Sequence, residues 1–350
     1  MKFLIFTIFI IMFFLKTGNV LSEKSIFNVN NIEIETKNYL KNNNEYLNQA
    51  FIQGFNELTK RILLKKDYIK LKKTSIIEIK ELISHYQIVN PQQSPSKKKV
   101  LVNLFFDRKK IKNFFFLKNL TYSDLSNVEV VILPIKIKED KIFVFNDNYF
   151  FKNWNRESEE TTNKNEIIEY LLPIENLDII QKINLLKDNL ENLEISDILS
   201  DYNNNNLVFL VINQEENFFK IFLKIQTSNK KIIKNFKVDK SETQNDLEAV
   251  IKFSKNEIED VIKSQNIIDV RTPTFLNIKL NIEKKDDLFK LQNIFEKIDI
   301  VDNFYVREFN NEYAKVKIKF YGKLDNFYEK LKQMGAKIKI VNDSWSISIS

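Results

Sequence analysis

The chain has 350 residues, which is long enough for two or three domains. Hydrophobic residues make up 43% and charged residues 29%, close to the averages of globular proteins, which excludes wholesale disorder and a polytopic membrane protein. It contains no cysteine, which excludes disulfides, thiolate metal sites, cysteine nucleophiles and a lipidated cysteine. The single histidine, His85, excludes multi-histidine metal clusters. The net charge of +7 accompanies the Lys, Asn, Ile and Phe excess typical of A/T-rich codons, so it is weak evidence for a nucleic-acid partner.

The first 22 residues have the features of a secretory signal peptide. Lys2 precedes an apolar run from Phe3 to Leu15, which is too short to span a bilayer, and Lys16 ends that run. Val20 and Ser22 stand at the −3 and −1 positions of a cleavage site. We therefore expect an exported, periplasmic protein, and the alternative is an uncleaved inner-membrane anchor.

Export limits the chemistry that the protein meets, because the periplasm holds no ATP or NAD(P)H pool and little nucleic acid. The sequence also contains neither GxxxxGK[ST] nor GxGxxG, which four glycines could hardly supply. We therefore expect no nucleotide, no nucleic acid and no cofactor.

Residues 23–120 are predicted to form an N-terminal α+β domain. Alternating apolar residues predict a strand over 26–35, with a slip in the alternation near Asn30 that a bulge would explain. Apolar residues at intervals of three and four predict a helix over 42–63, in which Gly54 indicates close approach of another element. A second helix over 75–84, a hairpin and a helix over 108–117 complete the predicted domain.

Residues 121–268 are predicted to form a middle α/β domain with a mixed or parallel sheet. The nearly unbroken apolar runs VEVVILPIKI and LVFLVIN are typical of strands buried on both faces. Helical segments separate several of the predicted strands, which favours βαβ connections. Two further strands over 218–238 and a helix over 245–264 complete this domain.

Residues 269–350 predict a ferredoxin-like βαββαβ domain. Leu276, Ile278, Leu280 and Ile282 alternate with polar residues in its first strand. Lys315, Lys317 and Lys319 alternate with apolar residues in a later strand, so one face of that strand is predicted to form a cationic surface. We expect a solvated face or one that binds an anionic membrane surface or an acidic partner, since the glycine-aromatic signature of RNA-recognition modules is missing.

Few residues suggest catalysis. His85 adjoins Ser84, but neighbouring side chains diverge, so a structural or surface role is expected. The acid pairs Glu159–Glu160 and Asp286–Asp287 lie in a polar break and at a helix start, where solvated carboxylates are expected. Trp154 is expected to pack in a core.

Several sequence strings, in their order along the chain, resemble the domain-of-unknown-function family 2066. They include FNVNNIEIET, HYQIVNPQQ, LTYSD, VVILPI and LLPIENLDII, and the resemblance covers roughly residues 26–215 and, more loosely, the C-terminal domain. The positions that carry the family pattern are Tyr122, Asp124, Pro134, Trp154 and Pro173. This family consists of exported proteobacterial envelope proteins, so the resemblance implies an envelope location and no catalytic residue that could be carried over.

Together these features favour a non-enzymatic periplasmic or cell-envelope binding or assembly protein built from α+β and α/β units. The expected partner is an envelope protein or an anionic membrane surface. A periplasmic hydrolase that uses carboxylates is the alternative function, because the absence of cysteine and the single histidine leave carboxylates, Lys, Arg, Tyr, Ser and Thr as the catalytic groups available.

Overall fold

The computed structural model describes residues 25–36, 43–89, 98–125, 127–156, 167–202, 204–228, 230–240, 246–341 and 344–349. The predicted signal peptide lies outside these residues. The chain divides into two compact units, here called the main unit (residues 29–272) and the C-terminal unit (residues 273–350 together with the described N-terminal residues 25–28). Both units mix helices and sheets, which confirms the predicted α+β class.

The described residues of the main unit form three sheets and the helices that flank them. Its elements in chain order are β1 (Asn28–Thr36), α1 (Asn43–Ile62), α2 (Lys65–Leu71), α3 (Ile76–Leu82), β2 (Ile83–Val89), β3 (Lys98–Phe106), α4 (Arg108–Leu117), β4 (Thr121–Ser123), β5 (Val128–Lys138), β6 (Lys141–Phe143), a 3₁₀ turn (Phe145–Asp147), α5 (Tyr149–Asn153), β7 (Ile168–Leu171), α6 (Leu177–Leu185), a 3₁₀ segment (Lys187–Asn192), α7 (Ile195–Leu199), β8 (Leu207–Gln214), β9 (Phe218–Gln226), β10 (Lys231–Asp239), α8 (Asp246–Gln265) and β11 (Ile267–Asp269).

The first sheet has the order β1-β3-β2, and β2 and β3 form the predicted antiparallel hairpin. The helix predicted over 75–84 ends at Leu82, because the chain turns into β2 at Ile83. In β1 the predicted slip is present: Val29 and Ile32 are both buried, and Asn31 between them has φ = +60°. Its N–H donates to Asn103 Oδ1 at 2.8 Å.

Gly54 lies where helix α1 approaches this sheet. A Cβ atom at this position would lie 2.4 Å from Leu104 Cδ1 and 2.6 Å from Ile32 Cδ1. Both of those side chains are fully buried, so neither has free space to move into. The close approach predicted from an otherwise unfavourable glycine is therefore confirmed.

The second sheet of the main unit is mixed and has the order β10-β9-β8-β5-β6, with β7 also beside β5. Strand β5 pairs in parallel with β7 and β8, and β8 pairs antiparallel with β9. The predicted mixed sheet with buried central strands is therefore confirmed.

Several contacts join residues 29–123 to residues 128–272 within the main unit, among them a strand pairing and a buried lysine. The short strands β4 and β11 pair antiparallel. The buried ammonium of Lys263 donates to the backbone oxygens of Lys60 and Leu63 at the end of α1, at 2.5 and 3.1 Å. The desolvation that accompanies burial lowers the pKa of Lys263, against the opposing effect of Glu259. The predicted domain boundary near residue 120 stays a prediction, because it concerns whether residues 23–120 and 121–268 fold independently.

The C-terminal unit has the predicted βαββαβ order followed by one additional strand. Its elements are β12 (Thr274–Asn281), α9 (Asp287–Lys297), β13 (Val301–Phe309), β14 (Tyr313–Phe320), α10 (Leu324–Gln333), β15 (Ala336–Val341) and β16 (Ser344–Ile349).

The sheet of the C-terminal unit has the order β13-β14-β12-β16-β15. The additional strand β16 pairs in parallel with β12 and antiparallel with β15, so it separates two strands that a ferredoxin-like sheet would place side by side. Trp345 and Ile347 in β16 are buried, which gives the insertion its apolar contacts.

Residues 25–28 are held by Asp299 of the C-terminal unit. Ser25 Oγ donates to Asp299 Oδ1 at 3.0 Å, and the Ile26 N–H donates to Asp299 Oδ2 at 3.1 Å. Ile26 and Phe27 are buried. The C-terminal unit therefore includes residues from both ends of the described chain.

Candidate functional site

Apolar and cationic side chains alternate along strand β14, so they lie on opposite faces of the sheet. Ala314, Val316, Ile318 and Phe320 are at most 1% exposed. The intervening Lys315, Lys317 and Lys319 project from the opposite face and are exposed or half-buried. Because successive side chains of a strand point to opposite faces of its sheet, the three lysines share the face that the helices leave open.

The register of the sheet brings three further lysines to this face, none of which the sequence analysis singled out. Lys279 of β12 lies directly opposite Lys315. Ser346 of β16 lies beside Lys279, and Lys339 of β15 lies beside Ser346. Lys337, two residues before Lys339, points the same way. We call the resulting surface the cationic face; its lysines are Lys279, Lys315, Lys317, Lys319, Lys337 and Lys339.

A weak signal for the additional lysines was present in the sequence. Lys337 and Lys339 alternate with Ala336, Ile338 and Ile340, as Lys315 to Lys319 alternate with their apolar neighbours. Periodicity assigns a residue to one face of its own strand, but it does not show which strands lie side by side. The sheet order was needed to place the two sets of lysines together.

Two of the six lysines are paired with carboxylates. Lys315 Nζ lies 2.6 Å from Glu308 Oε2, and Lys319 Nζ lies 2.8 Å from Asp302 Oδ2. Hydrogen bonds from Lys315 and then from Tyr313 lower the pKa of Glu308, and the bond to Asp302 raises the pKa of Lys319.

The remaining four lysines of the cationic face have no carboxylate partner among the residues that the structure describes: Lys279, Lys317, Lys337 and Lys339. Lys279, Lys337 and Lys339 are exposed. The cationic face therefore presents an excess of uncompensated positive charge.

Aromatic rings lie among these lysines. Phe275 and Tyr305 are 53% and 54% exposed, large fractions for such side chains. The Lys317 ammonium lies 4.6 Å from the Phe275 ring centroid, and the Lys279 ammonium lies 4.6 Å from the Tyr313 ring centroid. At these distances each ammonium makes a cation–π contact with the ring.

The family-pattern positions are all inaccessible to a ligand. Tyr122, Asp124 and Trp154 are at most 5% exposed, and Pro134 and Pro173 are also buried. Trp154 packs edge-on against Tyr170 with ring centroids 5.7 Å apart, as expected for a core residue. These positions contribute to the core of the main unit and form no open site.

Pro134 is placed where strand β5 can accommodate a proline. On the side of β5 away from β8, strand β7 pairs only with residues 128–131 and β6 only with residues 136–138. The fully buried Asn148 donates from Nδ2 to the Pro134 carbonyl at 2.8 Å. The nitrogen and the carbonyl of a strand residue point to the same side of the strand. Because the Pro134 carbonyl is bonded by a side chain rather than by a neighbouring strand, its nitrogen also faces no strand there, and the proline removes no ladder hydrogen bond.

The candidate catalytic groups do not form a catalytic arrangement in the described part of the chain. His85 is exposed, its ring stacks on Phe105 with centroids 4.3 Å apart, and Nδ1 lies 3.3 Å from Ser84 Oγ. Among the described residues, no third side chain is hydrogen-bonded to this imidazole, as a catalytic relay would require. The pair Glu159–Glu160 lies outside the described residues.

For Asp287 the expectation of a solvated carboxylate is wrong. Its side chain is fully buried and accepts hydrogen bonds from the N–H groups of Glu283 and Lys284 at 2.9 and 2.7 Å. Burial opposes ionisation of Asp287, but these hydrogen bonds and the Lys290 ammonium outweigh it and lower its pKa. The carboxylate fixes the backbone that leads into the N-terminus of helix α9, which is a structural role.

A groove of about 470 Å³ runs along helix α1 in the main unit. It is lined by Gln49, Ile52, Gln53, Asn56, Glu57, Lys60 and Tyr68. Glu57 is the one carboxylate among these seven residues, and it accepts a hydrogen bond from Gln53 at 3.1 Å. A single carboxylate does not provide the acid and base pair that carboxylate-dependent hydrolysis needs.

Comparison with known proteins adds no identification: no protein-family model matches the sequence, and no curated protein is significantly similar to it. The resemblance to the domain-of-unknown-function family 2066 stays a prediction. Among the described residues, no group of three or more His, Asp or Glu side chains is arranged to hold a metal ion. No helix in the described ranges is long and apolar enough to cross a membrane.

Proposed function

We propose that this protein is a non-enzymatic binding or assembly protein of the cell envelope, and that it engages an anionic partner through the cationic face. One observation carries the proposal. Four lysines of an open sheet face have no carboxylate partner among the described residues, although each projects from a regular, well-packed strand. The predicted export signal supports an envelope location.

The arrangement of these lysines is unfavourable for the free protein. Lys279 and Lys315 are direct cross-strand neighbours, and like charges in that position destabilise a sheet by several tenths of a kcal/mol, up to about 1. Glu308 offsets the charge of Lys315 only. An anionic partner that covers this face would relieve the repulsion, so binding would be favoured electrostatically.

Retention on immobilised heparin, a polyanion, tests the proposal. The protein lacking its first 22 residues is compared with a face variant that combines Lys279→Gln, Lys317→Gln, Lys337→Gln and Lys339→Gln. The matched control carries Lys66→Gln, Lys73→Gln, Lys110→Gln and Lys187→Gln, four exposed lysines of the main unit. Both variants lose the same net charge, so only the place of the charge differs.

The face variant should elute at clearly lower salt than the unmodified protein, while the control elutes close to it. Equal shifts for the two variants would show that only net charge matters and would contradict the proposal. A search for turnover with ester, peptide, glycoside and phosphate substrates completes the test. Hydrolysis that one carboxylate substitution abolishes would replace the proposal by the hydrolase alternative.

A further inference from the structure

We infer that the partner of the cationic face is the surface of an anionic phospholipid bilayer, to which the protein binds peripherally. This inference rests on the proposed function and specifies its partner. Three features of the face distinguish a membrane surface from a nucleic acid or an acidic protein segment: the two-dimensional spread of its charges, the use of lysine, and the position of its aromatic rings.

The uncompensated charges are spread over a plane. Lysines two residues apart on one strand are separated by about 7 Å, and neighbouring strands lie about 4.8 Å apart. Lys339 of β15 and Lys317 of β14 lie three strands apart in the sheet, so the uncompensated charge extends about 14 Å across the strands as well as along them. A planar array of headgroups can contact such an area at many points, whereas a single extended polyanion follows one line.

On β12, β14 and β15 all cations of the face are lysines, and the edge strand β13 adds one exposed arginine, Arg307. An ammonium is a compact point charge with no preferred plane, so it interacts with headgroups in many orientations. Specific recognition of carboxylate or phosphate groups more often uses the planar fork of arginine, which bonds them in pairs. The outward positions of β12, β14 and β15 contain no arginine. This composition favours diffuse attraction to a charged surface over recognition of a defined motif.

The exposed rings are suited to the headgroup region. Phe275 lies opposite Lys319, and Tyr305 lies opposite Lys317, so apolar and cationic groups are adjacent on the same face. Aromatic side chains with a polar neighbour or tip are favoured at the boundary between water and lipid. The ammonium groups of Lys317 and Lys279 already lie over the Phe275 and Tyr313 rings, the surfaces on which bases of a single-stranded nucleic acid would stack.

Flotation with lipid vesicles tests the inference. Vesicles of phosphatidylcholine alone are compared with vesicles that contain about one third phosphatidylglycerol, at ~0.1 M salt and again at ~0.5 M salt. The unmodified protein should float with the anionic vesicles at the lower salt and remain unbound with the neutral ones. Raising the salt should release it, because the attraction of surface lysines is screened.

The two lysine variants described above locate the binding surface. Each lysine near an anionic bilayer strengthens binding about fivefold, so the face variant should bind at least about 100-fold more weakly. The matched control should lose less than about fivefold, and its thermal unfolding midpoint should equal that of the face variant within a few degrees. Loss of binding in both variants, or in neither, would overturn the inference.

A third variant tests the aromatic contribution without changing charge. Phe275→Ala combined with Tyr305→Ala should weaken binding to anionic vesicles about 10-fold at low salt, because two exposed rings no longer enter the headgroup region. Unchanged vesicle binding in this variant would contradict the part of the inference that assigns a role to the rings.

The outcomes separate this inference from the proposed function. Face-dependent retention on heparin without binding to anionic vesicles would leave the proposed function standing and overturn the membrane assignment. Loss of face dependence on both heparin and vesicles would overturn both. Competition decides between partner classes: if an oligonucleotide or polyglutamate binds the face more tightly than anionic vesicles, a membrane is not its partner.

Discussion

The central strands of the two large sheets bury their side chains in different patterns. In β8 of the main unit, six consecutive residues from Leu207 to Ile212 are buried. In β14 of the C-terminal unit, buried and accessible residues alternate. Both strands are extended and have neighbours on both sides, so the difference comes from what covers their faces.

The six-stranded sheet has an apolar cluster on each face. Leu210 and Ile132 belong to one cluster, and the adjacent Phe209 and Val131 belong to the other. A lysine in such a strand must bury its ammonium. Lys224 of β9 does so, and its Nζ donates to the backbone oxygens of Glu191 and Leu193, both at 3.0 Å. A strand covered on both faces, such as β8, therefore cannot carry a row of solvated lysines, whereas the half-covered β14 can.

Truncation of adjacent residues in β8 tests the two-sided burial. Phe209→Ala and Leu210→Ala should each lower the free energy of unfolding of the main unit by about 3–5 kcal/mol, because each leaves a cavity in a different apolar cluster. Urea unfolding of a Trp345→Phe background follows Trp154, the fluorophore buried in the main unit. A loss below about 1 kcal/mol for either residue would show that its face is not tightly packed.

The same experiment in β14 should distinguish the two faces. Ile318→Ala should cost about 2–4 kcal/mol through lost burial and a cavity, and Lys317→Ala should change stability by less than about 0.5 kcal/mol. A Trp154→Phe background leaves Trp345 as the reporter of the C-terminal unit. If Lys317→Ala were as damaging as Ile318→Ala, the assignment of the cationic face would have to be withdrawn.

The C-terminal unit has one apolar layer and is expected to depend on polar anchors as well. Asp299→Ala removes the acceptor for Ser25 Oγ and the Ile26 N–H and should destabilise this unit by about 1–3 kcal/mol. Hydrogen exchange at the Ile26 amide should accelerate more than exchange in β14. Equal acceleration at both places would indicate global destabilisation rather than release of the N-terminal residues.

Asp287→Asn should have the smallest effect on stability and lower the free energy of unfolding by about 1 kcal/mol at pH 7. The effect is small because the amide oxygen of asparagine can still accept hydrogen bonds from the N–H groups of Glu283 and Lys284. Because the folded state lowers the pKa of Asp287, its carboxylate stabilises the fold above the ordinary carboxyl pKa of about 4, and this contribution is lost as the pH falls further. The stability difference between the two proteins should therefore narrow between about pH 5 and pH 2. A difference independent of pH would contradict this role.

Much of the fold was predictable because burial imposes its period on the sequence. The buried runs of β5 and β8, the alternation in β14 and the slip near Asn30 each predicted the observed local structure. The strand β16 was missed because it is short and all of its polar residues are serines, which are common in loops as well as in strands. The burial of Asp287 was also missed, since a carboxylate at a helix start is usually solvated and only the backbone N–H groups around it reverse that expectation.

The sequence by itself determined which side chains of each strand share a face, because alternate residues must point to opposite sides of a sheet. It placed Lys315, Lys317 and Lys319 together without reference to any other strand. Only the tertiary structure decided that Lys279, Lys337 and Lys339 join them, since strand order and register depend on long-range packing of β12, β15 and β16. The alternation of lysines along one strand can therefore be read from the local sequence, whereas the number of strands that contribute lysines to the cationic face depends on long-range packing.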